Sequence, residues 1–312
     1  MLPIAEMVRL ASTLDDRHGC AEGDAAAQRW GCSAAVFVRS SASHVFVADA
    51  GDRRVMLRLR PADAPDAPDA WASLRRSAAA AEALHAAGAP VPAVVRSTAG
   101  HAVQRVGASW VTALVAVEGT VLDDDDLDPQ TARAWGRLVA QFHRSATGVT
   151  LPDVPDLVSL TSPACADELV GLPITPDVFG TLHGDPEPDN VVWSEGGPVL
   201  IDLDDVRRGW FAADIAFALR AWGPPGKAPD LSAHVPAAFL AGYREVRAVS
   251  EEELGWLPAL ARAATAETLR ELAPLLAARP EPGWPTWAHE LDRKVRTRAQ
   301  EYEAALAAPR TG

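Results

Sequence analysis

The sequence predicts an α+β protein built as two lobes, a small antiparallel-sheet lobe first and a mainly helical lobe after it. Three observations carry this reading. A chain of 312 residues exceeds the usual size of one compact core. Short β-branched runs separated by turn residues recur between residues 34 and 117, and beyond residue 128 apolar residues recur at helical spacing.

Ala35–Arg39 running into Val45–Ala48, and then Arg54–Leu59, read as strands, with Asp49-Ala50-Gly51-Asp52 as a hairpin turn. Pro61–Ala70 repeats Pro, Ala and Asp without periodicity and reads as a solvated loop. From Trp71 to Ala87, small or apolar residues at Leu74, Ala78, Ala81 and Leu84 predict a helix that stops at Gly88 and Pro90. Val91–Val95, Ala102–Val106 and Trp110–Val117 return as strands, giving a sheet of roughly five strands with one helix inserted. Glu118-Gly119-Thr120 breaks the pattern. The first lobe is therefore 1–117, with a hinge at about 114–119, and the second lobe is 118–312.

Asp128–Ser145 has helical apolar spacing at Ala132, Trp135, Leu138, Val139 and Phe142. Four acids, Asp123 to Asp126, precede it and read as a solvated helix entry, where the helix dipole favours negative charge. After Arg144 a Pro-punctuated stretch leads to Val178–Leu182, and beyond the motif region several helices rich in Ala, Leu and Glu run to the end without an internal repeat.

The formal charge of -13 argues against a nucleic-acid partner, since phosphate backbones are held by clustered Lys and Arg, and favours a cationic or neutral substrate. Cys20, Cys32 and Cys165 show no C-x-x-C spacing, so free thiols are expected rather than a disulfide framework or a zinc site. Met1–Ser12 carries Glu6 and Arg9 within its apolar residues, unlike a signal peptide, and no apolar run has membrane-spanning length. A cytoplasmic location is expected.

The strongest local feature is His183-Gly184-Asp185-Pro186-Glu187-Pro188-Asp189-Asn190, an H-G-D-x-x-x-x-N pattern, followed by Ile201-Asp202-Leu203-Asp204-Asp205. At average residue usage such a pattern arises by chance in roughly one chain of this length in a thousand. Asn190 is the chain's only asparagine. Val191–Trp193 and Val199–Leu203 are strand-like and joined by the turn sequence Ser194-Glu195-Gly196-Gly197-Pro198, so they are expected to pair as a hairpin with Asn190 and Asp202 side by side at its open end. A carboxylate and an amide oxygen together suit Mg²⁺, which takes its remaining ligands from water and phosphate. Asp185 then stands where an acceptor hydroxyl approaches a γ-phosphate, as the group that orients it and accepts its proton.

With these residues the chain resembles the aminoglycoside phosphotransferase and choline kinase superfamily, a branch of the protein-kinase-like fold. The resemblance covers about residues 34 to 245. Gly209-Trp210-Phe211-Ala212-Ala213-Asp214-Ile215-Ala216 is similar to the family's G-x-x-x-x-D-L-A, where the Asp is usually structural and ties down the metal loop. Gln141-Phe142-His143-Arg144 resembles the helix end before the substrate-binding insertion, and His183 corresponds to a structural residue bonding nearby backbone. Val55-Met56-Leu57-Arg58-Leu59 resembles the strand whose basic residue meets the nucleotide phosphates. Val115-Ala116-Val117-Glu118-Gly119 resembles the hinge whose backbone pairs with adenine. Asp202-Leu203-Asp204-Asp205 with Trp193 and Arg207 looks most like the bacterial stress-response kinase and homoserine kinase branch.

The sequence departs from the family pattern in the first lobe. Arg58 stands where protein kinases use Lys, and the chain's two lysines, Lys227 and Lys294, lie elsewhere. Family spacing puts Ser77 where a helix Glu is expected to meet the basic residue, and Glu82 lies about 140° around that helix. Ser40-Ser41-Ala42-Ser43 has no glycine; Ser43 is a candidate phosphate contact, and a plain hairpin turn is the alternative.

The resemblance implies ATP, or GTP, with Mg²⁺, held by Arg58, Ser43, Val115 and Val117 and by Asn190 and Asp202, with Asp185 as the catalytic carboxylate. It implies O-phosphorylation of a small molecule such as an amino sugar, an antibiotic or a related metabolite. A stress-response-type Ser/Thr protein kinase and a catalytically silent nucleotide-binding module are the alternatives. A metal-dependent hydrolase on His183, Asp185 and Asp202 lacks nearby histidines. The acids Asp153, Asp156, Asp167 and Glu168 suggest a negative rim and a cationic acceptor.

Overall fold

The structure is a computed structural model that describes residues 1–51, 53–62, 70–151, 153–161 and 163–308. The core of the expected Pro/Ala/Asp loop, 63–69, lies outside the described residues, as does Asp52 of the expected turn. In chain order the elements are α1 (Ile4–Ala11), α2 (Ala21–Arg29), β1 (Ala35–Ser40), β2 (His44–Ala50), β3 (Arg53–Pro61), α3 (Ala70–Ala86), β4 (Val94–Val95), β5 (Val103–Val106), β6 (Ser109–Val115) and α4 (Pro129–Ala146). There follow α5 (Leu157–Leu160), α6 (Pro163–Leu169), β7 (Phe179–Leu182), β8 (Val191–Ser194), β9 (Gly197–Leu200), β10 (Arg207–Trp210), α7 (Phe211–Ala218), α8 (His234–Arg244), α9 (Glu251–Gly255), α10 (Leu257–Ala277) and α11 (Thr286–Ala307). Two compact units divide the chain: Met1–Ala78 with Ala93–Ala116 and Arg270–Gln300, and Ala79–Pro92 with Val117–Leu269 and Glu301–Gly312.

The first unit holds a six-stranded antiparallel sheet of order β1-β2-β3-β6-β4, with β5 also paired to β6. The sheet has one strand more than the sequence suggested, because Ala35–Ser40 and His44–Ala50 fold back on each other with Ala35 opposite Ala48 and Ser40 opposite His44. The serine-rich segment is thus a tight hairpin end. Only Val94–Val95 of the expected Val91–Val95 strand joins the sheet, since Pro92 has no N–H to give to a ladder. Phe46, Val55, Leu57, Leu59, Val111 and Ala113 are fully buried and pack with Trp30 and Ala26 of the α2 region. The Trp30 indole donates to the carbonyl of Val95 at 2.7 Å.

In the second unit α4 begins with Asp128 accepting the Thr131 N–H at 2.7 Å and with Pro129 in its first turn. It packs so closely on α8 that a Cβ at Gly136 would come to 1.9 Å from the Phe239 carbonyl oxygen, and one at Gly242 to 1.9 Å from that of Arg133. Trp135, fully buried on α4, stacks edge-on against Phe239 with ring centroids 4.7 Å apart. Two short antiparallel pairs carry the motifs: β7 with β10, Leu182 opposite Arg207, and the β8–β9 hairpin, Val191 opposite Leu200. Every residue of α7 is buried, which fits its nearly all-apolar sequence and isolates its one charge, Asp214.

Candidate active site

β7 delivers His183 and Gly184 to the start of the H-G-D-x-x-x-x-N loop. The backbone N–H groups of both residues donate to the Asp214 carboxylate, at 2.8 and 2.9 Å. The same carboxylate accepts the His143 Nε2–H at 2.8 Å, and the Tyr243 hydroxyl donates to His143 Nδ1 at 2.8 Å. Burial drives the His143 pKa down, against the pull of Asp214. For Asp214, burial favours the neutral form, yet the His143 bond and charges and the loop N–H groups outweigh it and hold the carboxyl below its usual value. The sequence reading gave Asp214 to the metal loop; the structure gives it to the catalytic loop. His183 makes the second link: its Nε2–H donates to the Ile201 carbonyl at 3.0 Å, immediately before Asp202.

Gly184 has φ +92°, and a Cβ there would meet the Asp205 carbonyl oxygen at 2.0 Å. Only glycine satisfies both conditions. Arg207, almost wholly buried, crosses the same gap: its Nε donates to the Asp205 carbonyl, its Nη2 to that of Gly184, each at 2.9 Å, and Nη1 pairs with Glu267. The Trp135 indole N–H donates to the Pro186 carbonyl at 2.9 Å. Of these anchors, His183 and Asp214 were read as structural from the sequence, whereas His143, Arg207 and Trp135 were not. The signal for them was present only as polar residues, His143 and Asp214, in otherwise apolar helical stretches.

Asn190 Nδ2 donates to the Asp185 backbone carbonyl at 2.9 Å and to Asp185 Oδ2 at 3.1 Å. This leaves the Asn190 side-chain amide oxygen, as distinct from its backbone carbonyl, for another partner. Ile201 N–H donates to the Asn190 carbonyl at 2.9 Å, which extends the β8–β9 ladder by one step and sets Asp202 just beyond Asn190, as the hairpin spacing anticipates. Asp202 has φ 63° and ψ 77°, a left-handed conformation that a non-glycine residue adopts at a cost. Asn190 and Asp202 offer hard oxygen donors only. No group of three or more His, Cys, Asp or Glu capable of enclosing a metal occurs among the described residues, and a Mg²⁺ held partly by substrate phosphates needs none.

Asp185 keeps one oxygen unused. A quarter of its side chain is exposed, but Oδ1 itself is buried and has no hydrogen-bond partner; Arg220 Nη2 lies 3.6 Å away. Burial raises the Asp185 pKa, Arg220 lowers it, and Asp189 raises it further. Glu187, ion-paired with Arg220, is pushed up to about 8, mainly by burial, with Arg220 opposing. Asp124 belongs to this group as well: partial desolvation and then Asp189 raise its pKa, and Arg220 lowers it. Asp124, in the acidic run read from sequence as a solvated helix entry, therefore feels the charges of the catalytic loop. Of the acids assigned to a negative rim, Asp156 faces Arg208 at 3.9 Å and Glu168 pairs with Arg262 at 3.2 Å.

The remaining candidates lie on the first unit and at the chain's passage to the second. Arg58 is buried in β3, opposite Val45 and Thr112, and Ser77 is buried on α3. The Ser43 hydroxyl, between β1 and β2, is buried without a hydrogen-bond partner. Val115 N–H donates to the Ala93 carbonyl and Ala116 N–H to that of Arg54, at 2.8 and 2.9 Å. Val117 makes no hydrogen bond with any described residue.

An antiparallel sheet in one unit, and in the other a braced H-G-D loop beside the hairpin carrying Asn190 and Asp202, define a kinase-like phosphotransferase architecture. The chain belongs to the phosphotransferase enzyme family, whose model matches residues 35–249. Among curated relatives it is 30% identical over 206 residues to a homoserine kinase of Beijerinckia indica subsp. indica, covering 58% of this chain and 63% of that protein. A homoserine kinase of Gluconacetobacter diazotrophicus is 32% identical over 138 residues, 44% of this chain and 41% of the relative. The chain thus spans less than two thirds of the length of either. An amicoumacin kinase in complex with AMP-PNP and Ca²⁺ shares the fold, with TM-score 0.66, 16% identity and coverage of 86% of this chain and 88% of that one. A microcompartment-associated aminopropanol kinase does so with TM-score 0.62, 17% identity and coverage of 90% and 97%.

Proposed function

We propose that the chain transfers the γ-phosphoryl group of ATP, or GTP, to a hydroxyl of a small molecule that also carries an amino group. The observation that carries this is the state of Asp185: Oδ2 is held by Asn190, while Oδ1 is buried, has Arg220 Nη2 3.6 Å away and has no hydrogen-bond partner among the described residues, which leaves it available to one hydroxyl. A buried carboxylate oxygen without a partner is costly and is retained where a substrate supplies the missing bond. In the transfer, Oδ1 orients the acceptor hydroxyl and takes its proton as the oxygen bonds to phosphorus. Asn190 through its amide oxygen and Asp202 through its carboxylate are the residues for Mg²⁺, which when bound neutralises charge on the phosphates. Arg58 and Ser43 are assigned to the nucleotide phosphates. Val117, whose backbone has no hydrogen-bond partner among the described residues, and Val115 are assigned to the base.

The amino group in the acceptor is suggested by the excess of carboxylates around Asp185, namely Glu187, Asp189 and Asp124 against Arg220, and by relatives named for homoserine and aminopropanol. A panel comprising homoserine, aminopropanol, spectinomycin and their des-amino counterparts, assayed for phosphate uptake from labelled ATP, tests it. Transfer to the amino compounds at least about tenfold faster in kcat/KM is expected, about the worth of one ionic hydrogen bond. Equal transfer to the des-amino compounds removes the amino requirement, and transfer to none of these or any other hydroxyl compound removes the small-molecule reading.

A further inference from the structure

The cation beside Asp185 Oδ1, Arg220, belongs to no motif. Arg220 lies in the short 3-10 turn Arg220–Trp222 that follows α7. Its Nη2 pairs with Glu187 and sits 3.6 Å from Asp185 Oδ1, and its guanidinium carbon lies 5.6 Å from the centroid of the Phe217 ring. The group is therefore fixed through one nitrogen and one face. Its Nε and Nη1 form no hydrogen bond or ion pair with any described residue, and about a third of the side chain, 32%, is exposed. Arg207 in the same unit shows the contrast, with Nε and Nη2 on backbone carbonyls and Nη1 on Glu267. A guanidinium that served only to brace the loop would direct its fork inward as Arg207 does. Arg220 keeps Nε and Nη1 without a partner among the described residues, beside the oxygen of the catalytic carboxylate that lacks a hydrogen bond.

Distance decides what that fork can reach. A hydroxyl hydrogen-bonded to Oδ1 is ~3 Å from it, and a phosphorus in line for attack is ~3–3.5 Å beyond that. The transferred group and its equatorial oxygens thus fall within about 7 Å of Oδ1, while the nearest guanidinium nitrogen is 3.6 Å from the same atom. Planar N–H donors match phosphoryl oxygens two at a time.

Building on the phosphotransfer reading, we propose that Arg220 is a catalytic residue of the transfer step, its Nε and Nη1 donors holding oxygens of the γ-phosphoryl group as it passes to the acceptor, with Glu187 keeping the guanidinium in place. The bond from phosphorus to the bridging oxygen of the nucleoside diphosphate breaks with its electron pair leaving on that oxygen. The bond to the acceptor oxygen forms, and the hydroxyl proton goes to Asp185 Oδ1. Arg220 stays protonated throughout and neutralises charge spread over the equatorial oxygens.

The test needs no knowledge of the acceptor. Calorimetry measures the affinity of the full chain for Mg²⁺–ADP alone and for Mg²⁺–ADP with aluminium fluoride, a planar mimic of the phosphoryl in flight, in the wild type, Arg220→Gln, Arg220→Lys and Glu187→Gln. The wild type is expected to bind the fluoride complex more tightly than ADP. Arg220→Gln keeps ADP affinity within about twofold but loses about a hundredfold of the added affinity, the scale of one preorganised transition-state contact; Arg220→Lys and Glu187→Gln fall between. Arg220→Gln with the wild-type gain overturns the proposal, and so does an equal loss for both ligands, which marks a merely structural residue. A wild type that binds neither ligand overturns the phosphotransfer reading itself. A wild type that binds ADP but gains nothing from fluoride overturns the Arg220 role alone.

Discussion

The loop around Asp185 and the turn between β1 and β2 are held by different means. In the loop, His183 and Gly184 are tied to Asp214, Gly184 also to Arg207, Pro186 to Trp135, Glu187 to Arg220 and Asp185 to Asn190. Most of these partners are buried, where a satisfied polar network is stiff and an unsatisfied one costly. The Ser40–His44 turn relies on the ladder and on three braces, one of them the Leu2 N–H donating to the Ser41 carbonyl at 2.7 Å. Arg60 Nε donates to the Ala42 carbonyl at 2.9 Å, and Ser40 Oγ bonds His44 Nδ1 at 2.7 Å, with His44 Nε2 on Glu6 at 3.0 Å. The difference matches the chemistry: atoms that must meet within tenths of an ångström are over-determined, whereas the turn keeps a buried Ser43 hydroxyl without a hydrogen-bond partner among the described residues.

The comparison breaks first at Asp214. Replacing it with alanine strands two backbone N–H groups and the His143 Nε2–H in a dry interior, and stability measured by denaturant unfolding is expected to fall by about 3–5 kcal/mol. A loss under about 1 kcal/mol would mean that the loop does not depend on this carboxylate.

Acid sharpens it next. His143 is packed against Asp214, Tyr243, His183 and Arg247, and its pKa is held below 6.5. The unfolded chain takes up a proton as pH falls through about 6.5 while the folded chain does not, so its contribution is flat above that pH and stability declines below it. The slope is up to roughly 1.4 kcal/mol per pH unit for this one group. Asp214, whose folded pKa is depressed, adds loss only below 3.8, as pH falls towards its folded value. Unfolding free energies at pH 7.5 and 5.5 are expected to converge in His143→Gln relative to the wild type; an unchanged difference would assign the acid sensitivity elsewhere.

The smallest effect belongs to the turn. Ser43→Ala removes a buried hydroxyl that has no partner, so stability is expected to stay within about 0.5 kcal/mol or to rise. The KM for ATP is expected to increase severalfold if that hydroxyl meets phosphate. An unchanged KM leaves the segment as a plain hairpin end.

The two regions were also unequally legible. The spacing between Asn190 and Asp202 anticipated the β8–β9 hairpin with both residues at its open end, because a two-fold side-chain period and a short turn fix register, although the second strand runs Gly197–Leu200 rather than Val199–Leu203. The braces were not legible, because His143, Asp214, Arg207 and Trp135 meet through long-range packing that leaves no local pattern. Asp214 was recognised as structural but given the wrong loop. Arg220 gave no signal at all, one arginine among many until a carboxylate was seen beside it. The N-terminal helices α1 and α2 also escaped, being short and, in α2, rich in alanine and charge rather than periodic. Ser40–Ser43 was left open between a phosphate contact and a plain hairpin turn, since nothing in those residues dictates a turn type, and the pairing shows the reversal.

The account stands on Asp185 Oδ1 as the atom that receives the acceptor proton. Asp185→Asn keeps the shape of the side chain and removes its basicity. Single-turnover transfer of label from γ-labelled ATP to the best acceptor of the panel, measured beside nucleotide affinity, is the direct test. The account predicts a fall in the transfer rate of about a hundredfold or more, with nucleotide affinity within about threefold of the wild type. Transfer at the wild-type rate by Asp185→Asn would contradict it.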